Sequence, residues 1–300
     1  MSHDQARGAL LGLAAGDAVG ATVEFKPRGS FAPLTDMVGG GPFRLQPGQW
    51  TDDASMALCL GYSLNECSGF DAHDQMTRYV RWWQEGYLSS TGACFDIGVT
   101  VSKALQKFQR SGEPFAGSTD PHTAGNGCIM RLAPIPLFYF PDMDAAAKYA
   151  AESARTTHGA VECLDASRLL ARILVRALQG APKEQVLYGD ATTFTGAPKI
   201  EAIARGDYRD KAASQIHGSG YVVDCLEAAL WCVQRTESFA DAVLLAANLG
   251  DDADTTAAVC GQVAGAYYGE SGIPTSWREK LTMGQEIGAL AEQLFTSGVV

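Results

Sequence analysis

The chain has no run of lysine or arginine, no CxxC pair and no apolar stretch long enough to cross a bilayer. Each absence excludes a class of protein. With 23 Lys and Arg against 34 Asp and Glu, the net charge is −11, so neither nucleic acid nor an anionic membrane is expected as a partner. Apolar runs stop short of the roughly 18 to 20 residues of a membrane span. The opening MSHDQARGALLGLAAGDAVG lacks a basic n-region and carries Asp4 and Asp17, so it does not read as a signal peptide, and a cytoplasmic protein is expected. The eight cysteines (Cys59, Cys67, Cys94, Cys128, Cys163, Cys225, Cys232 and Cys260) then read as reduced core residues rather than disulfides or zinc ligands. There is no Walker A motif, and the GNG at 125–127 lacks the third glycine of a dinucleotide fingerprint. An anionic small molecule would have to be held by metal ions, backbone N–H groups or a few placed cations.

What the chain does have is helical periodicity. Its 300 residues, 46% hydrophobic and 19% charged, suit one soluble globular domain, 1–300. Apolar residues recur with a period near 3.6, and alternation of period 2 is scarce. Helices are predicted at 4–19, 53–66, 72–86, 97–111, 127–140, 144–156, 161–179, 197–205, 221–235, 238–248, 255–268 and 284–296, with an irregular stretch at 181–200. The fold class is therefore all-α. Gly12, Gly16 and Gly20 recur every four residues, as do Gly261, Gly265 and Gly269, and each set lies along one helix face. Glycine costs about 1 kcal/mol inside a helix relative to alanine, so the two rows point to close helix packing.

Two acidic clusters share one grammar. GQWTDDASM places Thr51, Asp52 and Asp53 before a helical run, and NLGDDADTTAAV places Asp252, Asp254 and Thr255 before another. Helix capping accounts for either cluster alone, because Thr is a good N-cap and early acids complement the helix dipole. It does not account for the repetition. Six hard oxygen donors from two helix starts suit Mg²⁺, Mn²⁺ or Ca²⁺, and four converging carboxylates would repel one another without at least one cation, more comfortably two. An EF-hand is excluded by counting, since Ala257 and Val263 fall where Gly and Glu are needed.

In TAGNGCIMR, Gly125, Asn126 and Gly127 precede an apolar run, which fits either a phosphate cradle of backbone N–H groups or a turn with an Asn cap. Asp17, Glu24, Asp96 and His158 are polar residues in apolar surroundings, each open to a structural or a chemical role.

Read in order, LGLAAGDAVGATVEF, GQWTDDASM, FDIGVT, AGNGCIMR, TTH and GDDADTTAAVCGQVAGAYYG resemble the ADP-ribosylglycohydrolase family over nearly the whole chain. The resemblance implies a compact all-α fold and a binuclear Mg²⁺ or Mn²⁺ centre held by Thr51, Asp52, Asp53, Asp252, Asp254 and Thr255. It implies hydrolysis of the bond between ADP-ribose and an acceptor side chain, arginine on a protein first, with serine-linked, O-acetyl or other small ADP-ribosyl compounds and a non-catalytic ADP-ribose binder as alternatives. Glu24 is the implied general acid or base, with Asp53 and Asp252 as further catalytic carboxylates. Gly125, Asn126, Gly127, Met130 and His158 are implied to meet the ADP-ribose. The chain departs from the family pattern twice: Val99 stands where some relatives carry an acid in a GDTT motif, and Asp251 stands where a second glycine precedes DADTT.

Overall fold

The computed structural model describes residues 3–297. Fourteen α-helices follow in order: α1 (His3–Gly20), α2 (Asp52–Cys67), α3 (Ala72–Glu85), α4 (Val99–Ser111), α5 (Pro134–Phe138), α6 (Met143–Arg155), α7 (Val161–Leu178), α8 (Lys183–Tyr188), α9 (Pro198–Arg205), α10 (Val222–Arg235), α11 (Phe239–Ala247), α12 (Ala253–Tyr268), α13 (Thr275–Lys280) and α14 (Gly284–Ser297). No strand occurs among the described residues, only isolated bridges such as Gly125 with Tyr221. The all-α expectation holds.

At the centre, α1 and α12 run antiparallel and are buried all round, from Gly8 to Gly20 and from Ala253 to Ala266. A helix with no polar face belongs in a core. The glycine rows explain how close the two approach. A Cβ at Gly8, Gly12, Gly16 or Gly20 would run into the backbone of Gly265, Gly261, Ala257 or Ala253 respectively, and one at Gly261 or Gly265 into Gly12 or Gly8. Gly269 plays a different part, ending α12 at φ 77°. A second apolar cluster, with Met76, Tyr79 and Trp82 of α3 and Leu105 and Phe108 of α4, packs on Met56 and Cys59 of α2. Those two helices carry clear polar faces, as their exposed outer residues show.

Three departures from the predicted elements have local causes. The helix expected at 127–140 is a 3₁₀ turn at Asn126–Cys128 followed by the short α5, because Pro134 and Pro136 lack N–H groups and a proline ring clashes with the preceding turn. The stretch 181–200, read as irregular, contains α8, which starts after Pro182, and α13 starts after Pro274. Both span six residues, shorter than periodicity can register. All eight cysteines are free; six are buried, while Cys67 is exposed and Cys94 half-buried.

Substituting Gly12 or Gly16 with leucine should lower the unfolding free energy by about 3 kcal/mol or more through overpacking, read from urea midpoints. Gly98, whose Cβ would enter open space, should tolerate alanine with little change in stability. Equal tolerance at Gly12 and Gly98 would refute the close packing of α1 on α12.

Candidate metal centre

The antiparallel pairing sets the end of α1 beside the start of α12, and the start of α2 docks on both. Asp17, in the last turn of α1 and fully buried, accepts from the backbone N–H groups of Thr51 at 2.8 Å and Ala54 at 3.0 Å. The first turn of α2 is thus capped from another helix. Thr51 occupies the N-cap position, yet its hydroxyl makes no capping bond. It lies instead 3.2 Å from Asp53 Oδ2 and 3.4 Å from Asp254 Oδ2. Thr255 Oγ1 lies 3.5 Å from the same Asp53 oxygen. Asp252, at the N-cap of α12, likewise makes no capping bond; Asn126 Nδ2 donates to its Oδ2 at 2.8 Å. Capping therefore does not account for either acidic cluster.

Two carboxylate groupings form around Asp254. One oxygen each from Asp17, Asp53 and Asp254 lie within 4.8 Å of one another, and so do one each from Glu24, Asp96 and Asp254. Asp17 already accepts two N–H bonds, which suits it to capping. Three oxygens in the cluster are buried with no partner: Asp53 Oδ1, Asp254 Oδ1 and Glu24 Oε2. Burial, then the neighbouring carboxylates, holds Asp52, Asp53 and Asp254 well above the usual carboxylate range. Glu24 is pushed to about 9 by burial and by Asp96 and Asp252. Asp96 rises to about 7 through burial and Asp17, and Asp17 to about 7 through burial, opposed by its N–H donors. Buried oxygens without partners and mutually repelling acids, all hard donors, fit a divalent cation.

Glu24, Asp52, Asp96 and Asp254 face a cavity of about 580 Å³, while Asp17 and Asp53 are not among its lining residues. Six acids line it (Glu24, Asp52, Asp96, Asp251, Asp252 and Asp254), with no lysine or arginine among the lining residues. Its rim holds three non-glycine residues at positive φ: Phe25 at 62°, Asp96 at 59° and Asp251 at 56°. Such strain gathers at functional sites when the surroundings enforce it. Phe25 N–H donates to Asp251 O at 2.8 Å and Asp251 N–H to Lys26 O at 2.8 Å, which pins the Phe25 ring outward, 65% exposed. Val99, at the head of α4, is 68% exposed on the same rim.

Gly125, Asn126, Gly127, Met130 and His158 all line the cavity. Gly125 N–H already bonds Thr123 O at 2.8 Å and Asn126 N–H bonds Gly220 O at 3.0 Å, so these two donors serve the fold rather than an anion. His158 is buried beneath the loop: a Cβ at Gly127 would sit 2.8 Å from its Cε1. Burial and the nearby Arg131 push its imidazole down to about 3, leaving it neutral. Sequence reasoning singled out Asp17 and Asp96 but could not give the partners of the first or the direction of the second. Asp17 acts through backbone N–H groups 34 and 37 residues away, and Asp96 turns into the cluster through its left-handed backbone.

The helical frame thus gathers acids and hydroxyls at helix starts around an open cavity, and the relatives of the chain say which class of enzyme carries this arrangement. The ADP-ribosylglycohydrolase family model matches residues 1–299, and the chain belongs to that family. It is 49% identical over 292 residues to the ADP-ribosylarginine hydrolase Tri1 of Pseudomonas putida (strain GB-1), covering 97% of this chain and 78% of that protein. It is 33% identical over 287 residues to the ADP-ribosyl-[dinitrogen reductase] glycohydrolase of Rhodospirillum rubrum, covering 94% and 91%. A solved structure described as an ADP-ribosylglycohydrolase-related protein complex superposes with a TM-score of 0.87 at 44% identity, over 99% of each chain. No helix among the described residues is long and apolar enough to cross a membrane.

Carboxyls with raised folded-state pKa bind protons more tightly folded than unfolded, so their stabilising contribution is present below the unfolded value of about 4 and is lost as pH rises. The metal-free protein should therefore lose thermal stability between about pH 4 and pH 9, the upper value being that of Glu24. Added Mg²⁺ or Mn²⁺ should raise Tm, and by more at pH 8 than at pH 5. Asp254→Asn should raise the metal-free Tm at pH 8 and remove the metal-induced shift. Scanning calorimetry with and without EDTA measures all three, and a Tm indifferent to both pH and cation would sink the assignment.

Proposed function

We infer that this protein hydrolyses the bond joining the anomeric carbon of ADP-ribose to an arginine guanidinium on a protein. The observation that carries this reading is the buried cluster of Glu24, Asp53 and Asp254 with unpartnered oxygens, beside a cavity lined by six acids and by no lysine or arginine. The relatives named ADP-ribosylarginine hydrolase, at 49% and 45% identity, support the acceptor. So does the rim, where acids and the exposed face of Phe25 suit a guanidinium.

Two divalent cations, Mg²⁺ or Mn²⁺, would be held by Thr51, Asp52, Asp53, Asp252, Asp254 and Thr255, and would lend positive charge to the ribose hydroxyls and to water. The chain's own residues supply the rest. Water adds its hydroxyl to the anomeric carbon, the guanidine leaves, and a proton must reach the leaving nitrogen. Glu24 is buried, unpartnered at Oε2 and beside Asp96, which suits it to carry that proton. Asp53 and Asp252 hold the cluster in register, Asp252 with the Asn126 amide on its oxygen. Gly125, Gly127, Met130 and His158 form the wall against which the ADP-ribose lies.

A non-catalytic binder is the competing reading, motivated by the missing acid at Val99. Asp96 weakens it, because its carboxylate lies against Glu24 and Asp254 and supplies an acid on the same side of the cavity.

Release of ADP-ribose from an arginine-modified protein, with a serine-linked peptide and an O-acetyl compound alongside, should occur in Mg²⁺ or Mn²⁺ and stop in EDTA. Metal-dependent binding of ADP-ribose without any release would favour the binder. Asp52→Asn or Asp252→Asn should cut turnover by about 100-fold or more while the helical circular dichroism is kept. Glu24→Gln should cost about 10²- to 10⁴-fold, and Asp251→Asn, outside the proposed ligand set, no more than about threefold. Loss of activity at Asp251 with retention at Asp252 would move the ligand register by one residue.

A further inference from the structure

Behind the cavity wall sits a buried charge with no counter-ion. Arg131 is fully buried, and no carboxylate pairs with it among the described residues. Its guanidinium lies 4.8 Å from the centroid of the Tyr79 ring and 3.9 Å from Met56 Sδ. Its Nη2 is 3.5 Å from Ser153 O, and its Nε has no partner. Its one short bond is from Nη2 to Thr157 Oγ1, at 2.7 Å. The same hydroxyl oxygen lies 2.8 Å from His158 Nδ1.

The direction of this chain of bonds follows from what each group can do. A guanidinium can only donate, so Thr157 Oγ1 must accept from it. The hydroxyl then has one hydrogen left and, as the bonds stand, one acceptor in reach, Nδ1 of His158. Were Nδ1 protonated instead, that hydroxyl hydrogen would be buried without a partner, which is costly. Nδ1 is therefore the acceptor, and in a neutral imidazole the proton sits on Nε2. Nε2 has no partner among the described residues. Its edge of the ring lies against the two loop glycines, where a Cβ at Gly125 would come within 3.3 Å of Nε2 and one at Gly127 within 3.2 Å. The missing side chains leave that edge open to the cavity, which His158 lines.

We propose that Arg131 and Thr157 are positioning residues that lock His158 as a neutral Nε2–H donor, aimed through the gap at Gly125 and Gly127 toward an anionic diphosphate oxygen of the ligand. This rests on the ADP-ribosyl reading above and deepens it. His158 is already a wall residue in that reading; what is added is the pair behind it, Arg131 and Thr157, which decides which ring nitrogen carries the hydrogen.

The test uses the full chain with Mg²⁺. Imidazole ¹⁵N spectra of the ligand-free protein should show His158 protonated at Nε2 and unprotonated at Nδ1. The opposite tautomer overturns the relay whatever the substrate proves to be, which separates this proposal from the functional reading. His158→Ala should weaken ADP-ribose binding by about ten- to hundredfold, the range of a hydrogen bond to a charged group, and leave adenosine binding unchanged. An equal loss for adenosine would refute the diphosphate contact. His158→Gln, whose amide nitrogen reaches a similar place, should restore most of the affinity. Thr157→Val, nearly isosteric, keeps the test open if Arg131→Met fails to fold. Each should lower ADP-ribose affinity in the wild-type background and add little to His158→Ala. Losses that add in full would mean that Arg131 and Thr157 act on the fold and not through His158.

Discussion

The closeness of α1 to α12 is the constraint on which the site depends. With glycine against backbone along the length of both helices, their axial register cannot slide without a collision or a void. That register decides which residue at the end of α1 meets which residue at the start of α12. Asp17 is thereby fixed relative to Asp254, and the turn after α1 delivers Glu24 to the same place. Close packing costs helix propensity at each glycine and returns positional accuracy at the acids.

Asp17 converts that register into a third position. By accepting from Thr51 and Ala54 it supplies the cap that α2 otherwise lacks, and so releases the Thr51 hydroxyl and the Asp53 carboxylate toward Asp254. The acids gathered in this way resist their own proximity, as their raised affinity for protons records. Such a cluster is stable only within a scaffold that overrules repulsion, and the fully buried helix pair is that scaffold. Behind the far wall, the buried Arg131 pairs with no acid among the described residues and is held by ring, sulfur and hydroxyl contacts.

Much of this was legible in the sequence, and the reasons for success and failure differ by residue. Helix type was readable because apolar period is a local property, and the glycine rows because four-residue spacing reports one face. Thr51-Asp52-Asp53 and Asp252 to Thr255 stood out since their donor types announce hard-ion chemistry without knowledge of the fold. The helix predicted at 127–140 is broken because Pro134 and Pro136 interrupt a run whose apolar content alone reads as helical. The bond of Asn126 to Asp252 joins residues 126 apart, and no local pattern encodes it. Asp96 could not be assigned a direction, because Asp tolerates the left-handed backbone without requiring it, and a helical backbone there would turn the carboxylate elsewhere.

The lining of the cavity also bears on how a ligand would enter. A diphosphate approaching this lining would meet six carboxyl groups and no lysine or arginine, which as they ionise set up a field of its own sign, strengthened by the low-dielectric walls. On the proposed reading, a cation held by these acids would offset that charge, and it would then load before the nucleotide. On that reading the protein separates two tasks that a basic pocket would merge: capturing the ligand would be left to what the acids recruit, and the chain itself would contribute shape, hydrogen-bond direction and a place for a proton.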